Sequence, residues 1–145
     1  MEFYMELGYG LVIDRTCKKL KHELQKELYR LGYDITVDQW IVIHELYNKG
    51  NLSQIQLANN TYKDAPTITR ILDLLLKKDL ISKIASPNDR RKFEISLTAK
   101  GRVLVEDMLP NLYVFRKQGW RDLSEEDFEN LRRILDKIYD NYNGS

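Results

Sequence analysis

Histidine and cysteine are scarce in this chain, with two of the first and one of the second in 145 residues. A lone Cys17 excludes an internal disulfide and any zinc site built on four cysteines. His22 and His44 fall on separate predicted helices and belong to no ligand motif, so no metal centre is expected. The same shortage argues against an enzyme, because no nucleophile–base pair, phosphate loop or metal motif occurs. No cofactor is implied. No apolar run approaches the ~18 residues of a membrane-spanning helix, and there are no repeats or low-complexity segments. The opening residues, Met1 to Glu6, are acidic where a secretion signal is basic. The expectation is a single-domain cytoplasmic protein with a reduced thiol and no membrane partner.

Net charge is also nearly absent, at +1. That balance conceals a division. Residues 51–102 hold ten Lys and Arg against five Asp and Glu, whereas the flanking segments are both slightly acidic. A basic middle is an argument about partners, and it fits either an anionic ligand or a solvated face.

The periodicity predicts mainly helix. A first helix runs from about Gly8 to Leu31, with apolar positions Leu11, Val12, Cys17, Leu20, Leu24 and Leu28, and Gly32 closes it. Thr36 reads as the N-cap of a second helix that carries Trp40, Ile43, His44 and Tyr47. Ser53 caps a short helix, Gln54 to about Asn60. After a turn, Asp64 and Pro66 open another helix. Ile68, Ile71, Leu72 and Leu75 define its buried face, and Thr67, Thr69, Arg70 and Asp73 its front. A short helix, a tight turn and an arginine-bearing helix make a helix-turn-helix over about 53–78, suited to a major groove.

Two strands follow over about 80–97, joined by Ser86-Pro87-Asn88-Asp89-Arg90-Arg91-Lys92. Pro, Asn and Asp supply the turn, and three cations at a hairpin tip form an anion probe, or wing. Helices of about 98–118 and 124–142 complete the chain, the second capped by Ser124. The last two helices and the first (about 8–31) have apolar faces that a small winged core does not need, so they are expected to join two copies. The fold expected is mainly α with a small β wing: a winged helix-turn-helix flanked by N- and C-terminal dimerisation helices.

Three motifs in this order carry a family resemblance over nearly the whole chain. Asp89-Arg90-Arg91 followed by Leu97-Thr98-Ala99-Lys100-Gly101 is similar to a D-x-R wing followed by L-T-x-x-G. Ala65 to Asp73 resembles a recognition helix, and Ile35 to Trp40 the entry of the preceding helix. The chain thus resembles the MarR family of bacterial transcription regulators. The resemblance implies a homodimer on a pseudo-palindromic operator, usually as a repressor. It implies that Arg91 enters the minor groove with Asp89 orienting it, and that Arg90 and Lys92 meet the backbone. It places Thr67, Thr69 and Arg70 in the major groove, with Lys63, Ser53 and Gln54 on the DNA backbone. Where the family often has Gly after the recognition helix, this chain has Asp79, which suggests an altered turn.

Tyr9, Trp40, His44, Tyr47 and Tyr113 are candidates for a pocket holding a small aromatic or apolar effector that releases the DNA; ordinary core accounts for them equally in type. Cys17 reads as a small buried hydrophobe, while Lys18 and Lys19 beside it leave a redox-sensing repressor as an alternative. A winged-helix protein-interaction module without DNA readout is a further alternative.

Overall fold

The computed structural model describes residues 8–144; the acidic stretch from Met1 to Glu6 lies outside them. Its elements, in chain order, are α1 (Tyr9–Arg30), α2 (Val37–Lys49), α3 (Gln54–Asn60), α4 (Ala65–Lys77), β1 (Ile81–Ala85), β2 (Phe93–Leu97), α5 (Ala99–Gly119) and α6 (Glu125–Asn141). The fold is mainly helical with a two-stranded antiparallel wing. The chain forms two compact units, one reaching to Met108 and one starting at Leu109.

In the first unit the helix starts follow local capping chemistry. Thr36 and Gln39 form a reciprocal capping box at α2, and Ser53 and Gln56 form another at α3. Asp64 caps α4 by accepting from the Thr67 N–H at 2.8 Å. Each box satisfies backbone donors that a helix start leaves open. The α1 terminus is a Schellman turn: Gly32 sits at φ +85, and the Tyr33 N–H donates to the Leu28 carbonyl at 2.9 Å.

The end of α4 repeats that turn without glycine. Asp79 holds φ +59, its N–H reaches the Leu76 carbonyl, and the Leu80 N–H reaches the Leu75 carbonyl at 3.1 Å. The altered turn anticipated at Asp79 is therefore not found. The left-handed geometry is kept with an aspartate, which tolerates it better than most L-residues.

The core of this unit joins α2, α4 and the base of the sheet. Val42, Ile43, Leu46, Ile68, Leu72, Leu75, Ile81 and Ile95 are all buried. Strands β1 and β2 pair in the register Ile81↔Leu97, Lys83↔Ile95 and Ala85↔Phe93. Facing residues share a side, so Ile81 and Ile95 lie at the buried base, while Lys83 and Phe93 continue the same face outward. An isolated bridge extends the sheet: the Ile95 N–H donates to the Leu52 carbonyl at 2.7 Å, and the Leu52 N–H returns to Ile95 at 3.2 Å. It draws the start of α3 against the wing.

Gly101 explains the spacing of the Leu97-Thr98-Ala99-Lys100-Gly101 run. Thr98 Oγ1 accepts the Gly101 N–H at 3.0 Å and donates to the Asp79 carbonyl at 2.8 Å. The first turn of α5 thereby lies so close to β1 that a Cβ on Gly101 would overlap the Leu80 carbonyl oxygen.

One expectation in this unit is corrected. Cys17 is exposed rather than buried, and Leu11 and Leu20 on the same helix are also exposed. Of the α1 stripe only Leu28 is fully buried. The apolar spacing of α1 marks a face that the described residues leave exposed.

In the second unit Ser124 and Asp127 form the capping box of α6. The Trp120 indole donates to the Ser124 carbonyl at 3.0 Å and meets Phe128 edge-on at 5.8 Å between ring centres. No residue of α6 is buried: Phe128, Leu131, Ile134, Leu135 and Tyr139 are all exposed.

Candidate nucleic-acid interface

Helix α4 presents the front that its sequence pattern anticipates. Ile68, Ile71, Leu72 and Leu75 are buried, and Thr69 and Arg70 face solvent, with Thr67 half-buried. Gln54 Nε2 donates to Thr69 Oγ1 at 2.6 Å, and that hydroxyl donates to the Ala65 carbonyl at 3.0 Å. The amide of α3 thus fixes the rotamer of a residue on the front of α4. Ser53 spends its hydroxyl on its own helix cap. The hydrogen bond from Thr67 holds the Asp64 carboxyl below its ordinary pKa, so the cap is charged at neutral pH.

Lys63 stands apart from the front. Its ammonium lies 2.9 Å from Asp38 Oδ1, and its side chain is only 15% exposed. Lys21 of α1 lies 3.1 Å from both oxygens of the same carboxylate. Burial pushes the Asp38 carboxyl up, but the hydrogen bonds and charges of Lys63 and Lys21 outweigh it and hold the group below its usual value. Gln39, next along α2, is buried. Its Oε1 accepts from Lys78 Nζ at 2.9 Å, and Lys78 also donates to the Asp34 carbonyl at 2.8 Å. Asp38, Gln39 and Lys78 escape a reading by pattern, although the Thr36 to Gln39 spacing marks Gln39 as half of a capping box.

The wing tip is held by its own backbone. The Ser86 N–H donates to the Lys92 carbonyl at 2.9 Å, and the Lys92 N–H to the Asp89 carbonyl at 3.0 Å. Asp89 Oδ1 accepts the Arg91 N–H at 3.0 Å and lies 3.7 Å from Arg91 Nε. Asp89 therefore shapes the turn and stands beside the guanidinium in one geometry. The Arg91 side chain is 94% exposed, and Arg90 and Lys92 are exposed with it. The loop projects three cations left exposed by the described residues.

The aromatic candidates divide. Trp40 is a buried core residue; its ring stacks on His44 at 4.9 Å, and His44 lies 3.3 Å from the Asn48 amide. Tyr47 completes the same side of α2, with the Arg102 guanidinium 5.4 Å above its ring. Tyr9 is partly exposed on α1, and Tyr113 is exposed in the second unit. Among the described residues no group of three His, Cys, Asp or Glu side chains is placed to hold a metal ion, and no helix is long and apolar enough to cross a membrane.

Comparison with known proteins gives a consistent picture. The MarR family model matches residues 35–93, which span α2, the helix-turn-helix and most of the wing. The HTH-type transcriptional regulator MhqR of Bacillus subtilis is 27% identical over 128 residues, 88% of this chain and 87% of that protein. The structure of S. aureus MepR bound to DNA superposes with a TM-score of 0.80 at 26% identity, covering 92% of this chain and 96% of that one. BpsR of Bordetella bronchiseptica, whose DNA binding is regulated by 6-hydroxynicotinic acid, shares the fold with a TM-score of 0.81 at 24% identity, over 90% and 92% of the two chains. With its motifs in order and its winged helix-turn-helix in place, the chain matches the MarR family over residues 35–93 and is similar to transcriptional regulators over about nine-tenths of its length.

Proposed function

We propose that this protein is a homodimeric, cytoplasmic repressor that binds a pseudo-palindromic DNA operator and releases it when a small aromatic or apolar effector binds. One observation carries the DNA reading. Thr69 and Arg70 on the front of α4 and Arg91 on the wing are all exposed; Gln54 of α3 holds Thr69, and Asp89 of the same loop holds the Arg91 N–H. A helix front suits base edges in the major groove. An extended arginine suits the narrow, electronegative minor groove. The basic excess of residues 51–102 supplies the attraction to phosphates. The exposed apolar faces of α1 and of α6 support a second copy as partner, and a two-fold pair places its recognition helices one DNA turn apart. The likeness to BpsR, whose DNA binding is regulated by 6-hydroxynicotinic acid, supports a small aromatic effector. Resemblance to the MarR family supports the repressing sense.

The test is selection of bound duplexes from a random-sequence pool, followed by anisotropy titration at fixed salt. An inverted repeat is expected to be enriched. Arg91→Ala is expected to weaken binding to it roughly tenfold per half-site. Equal affinity for selected and random duplexes would refute sequence readout, and run-off transcription from a promoter carrying the repeat tests repression.

A further inference from the structure

We infer that the groove between α3 and the inner face of the wing is a seat for the sugar–phosphate backbone, with Lys83 as its phosphate contact; this rests on the DNA-binding reading above. The groove has a volume of about 400 Å³ and is lined by Ser53, Gln54, Ile55, Lys83, Lys92 and Phe93, with Ile95 at its base. The bridge between Leu52 and Ile95 creates it by drawing the start of α3 against β2.

Lys83 is out of place by pattern. The register sets it opposite Ile95, on the face that is apolar at its base. An alternating strand puts an aliphatic residue there. Instead a lysine lines the mouth of a groove, and among the described residues neither Lys83 nor Lys92 has a carboxylate within ion-pair distance. No carboxylate among the described residues neutralises the two charges.

The position of the groove commits it to one occupant. At one end Gln54 bonds Thr69, on the front of the recognition helix. At the other end Lys92 follows Arg91, the exposed tip of the wing. A helix in the major groove and an arginine in the next minor groove have one DNA strand running between them. That strand must cross the surface joining Thr69 to Arg91, and this groove is that surface. Two lysines meet its phosphates, and the exposed rings and methyls of Phe93 and Ile55 meet the apolar faces of its deoxyriboses. Such contacts set register and carry no base information.

The experiment measures binding of the selected duplex over a range of salt concentrations for wild type, Lys83→Ala, Lys83→Arg and Lys137→Ala, whose lysine lies on α6. Lys83→Ala is expected to make the slope of log affinity against log salt shallower by about 0.9 for each protomer bound. It should also weaken selected and random duplexes by the same several-fold factor. Lys83→Arg should keep the wild-type slope, and so should Lys137→Ala. A Lys83→Ala protein of wild-type thermal stability whose slope is unchanged would overturn the seat while leaving DNA binding intact. A wild type that binds no duplex would overturn both readings.

Discussion

Lys63 and Asp38 form an ion pair at 2.9 Å that ties the residue before the N-cap of α4 to the first turn of α2. The next residue of α2, Gln39, holds Lys78 at the opposite end of α4. Two adjacent side chains on one helix therefore anchor both ends of the recognition helix. Lys21 brings α1 into the same carboxylate, so the helix expected to meet a second copy is joined to the helix expected to meet DNA. This leaves Lys63 with an internal partner, and a role on the DNA backbone would require it to leave Asp38.

Asp38 makes acid stability measurable. Its folded pKa lies below the unfolded value of 3.8. The stabilisation is fully present above that unfolded value and is lost as pH falls through the folded one. Asp38→Asn should therefore cost about 1 kcal/mol near neutrality, a small figure because the pair is partly exposed to solvent. The gap between variant and wild type should close as pH drops below about 4. Urea unfolding at both pH values checks this; a gap of constant size would show that the charge is not the cause.

Gly101 and Gly10 should respond to the same substitution with opposite signs. A Cβ on Gly101 would meet the Leu80 carbonyl and would lie 2.8 Å from Leu97 Cδ1. Backbone cannot yield as a side-chain tip can, so Gly101→Ala should destabilise by roughly 1–3 kcal/mol. A Cβ on Gly10 would meet nothing within 4 Å among the described residues beyond its own helix backbone and chain neighbours. In the first turn of α1, Gly10→Ala should stabilise by up to about 0.5 kcal/mol through helix propensity. Denaturant midpoints of the two variants decide it, and a tolerated Gly101→Ala would mean that β1 and α5 separate easily.

Asp79 carries a cost that glycine would remove. At φ +59 an L-residue is strained by ~1–2 kcal/mol, less for aspartate than for most. Glycine gives back part of the gain through the entropy of its unfolded chain. Asp79→Gly should raise stability by about 0.5 kcal/mol net, and Asp79→Val should lower it. A stabilising valine would show that the turn relaxes out of the left-handed region.

Local chemistry was readable from the residues, and long-range chemistry was not. The caps at Thr36, Ser53, Asp64 and Ser124, and the turn at Asp89, each depend on residues within three positions, so their spacing alone announces them. The buried face of α4 follows from a period of 3.6 in the same way. The partner of Lys63 is 25 residues away, and the bridge between Leu52 and Ile95 joins a loop to a strand. No periodicity reports such pairings, so the sequence places Lys63 on the DNA backbone and assigns nothing to Lys83. Cys17 shows a third kind of failure. Its apolar spacing reads as a buried face, but Cys17 is exposed, and spacing cannot say whether a face is covered by the same chain.

That uncovered face leads to the oligomeric state. Helix α6 has a well-formed cap and no buried residue, and Leu131, Ile134 and Leu135 are 37–47% exposed. A monomer gains little by holding such a stripe in helical form, whereas a second copy would desolvate it at ~25 cal/mol for each Å² of apolar surface. Leu131→Glu combined with Leu135→Glu should therefore give a folded monomer in sedimentation equilibrium, with the helical circular-dichroism signal largely kept. Because a dimer grips two half-sites at once, the monomer should bind the selected inverted repeat roughly 100-fold more weakly, or worse. Its affinity for a single half-site should stay close to that of wild type at low occupancy. A double variant that remains dimeric would place the contact between copies elsewhere, and the exposed stripe of α1 would be the next face to charge.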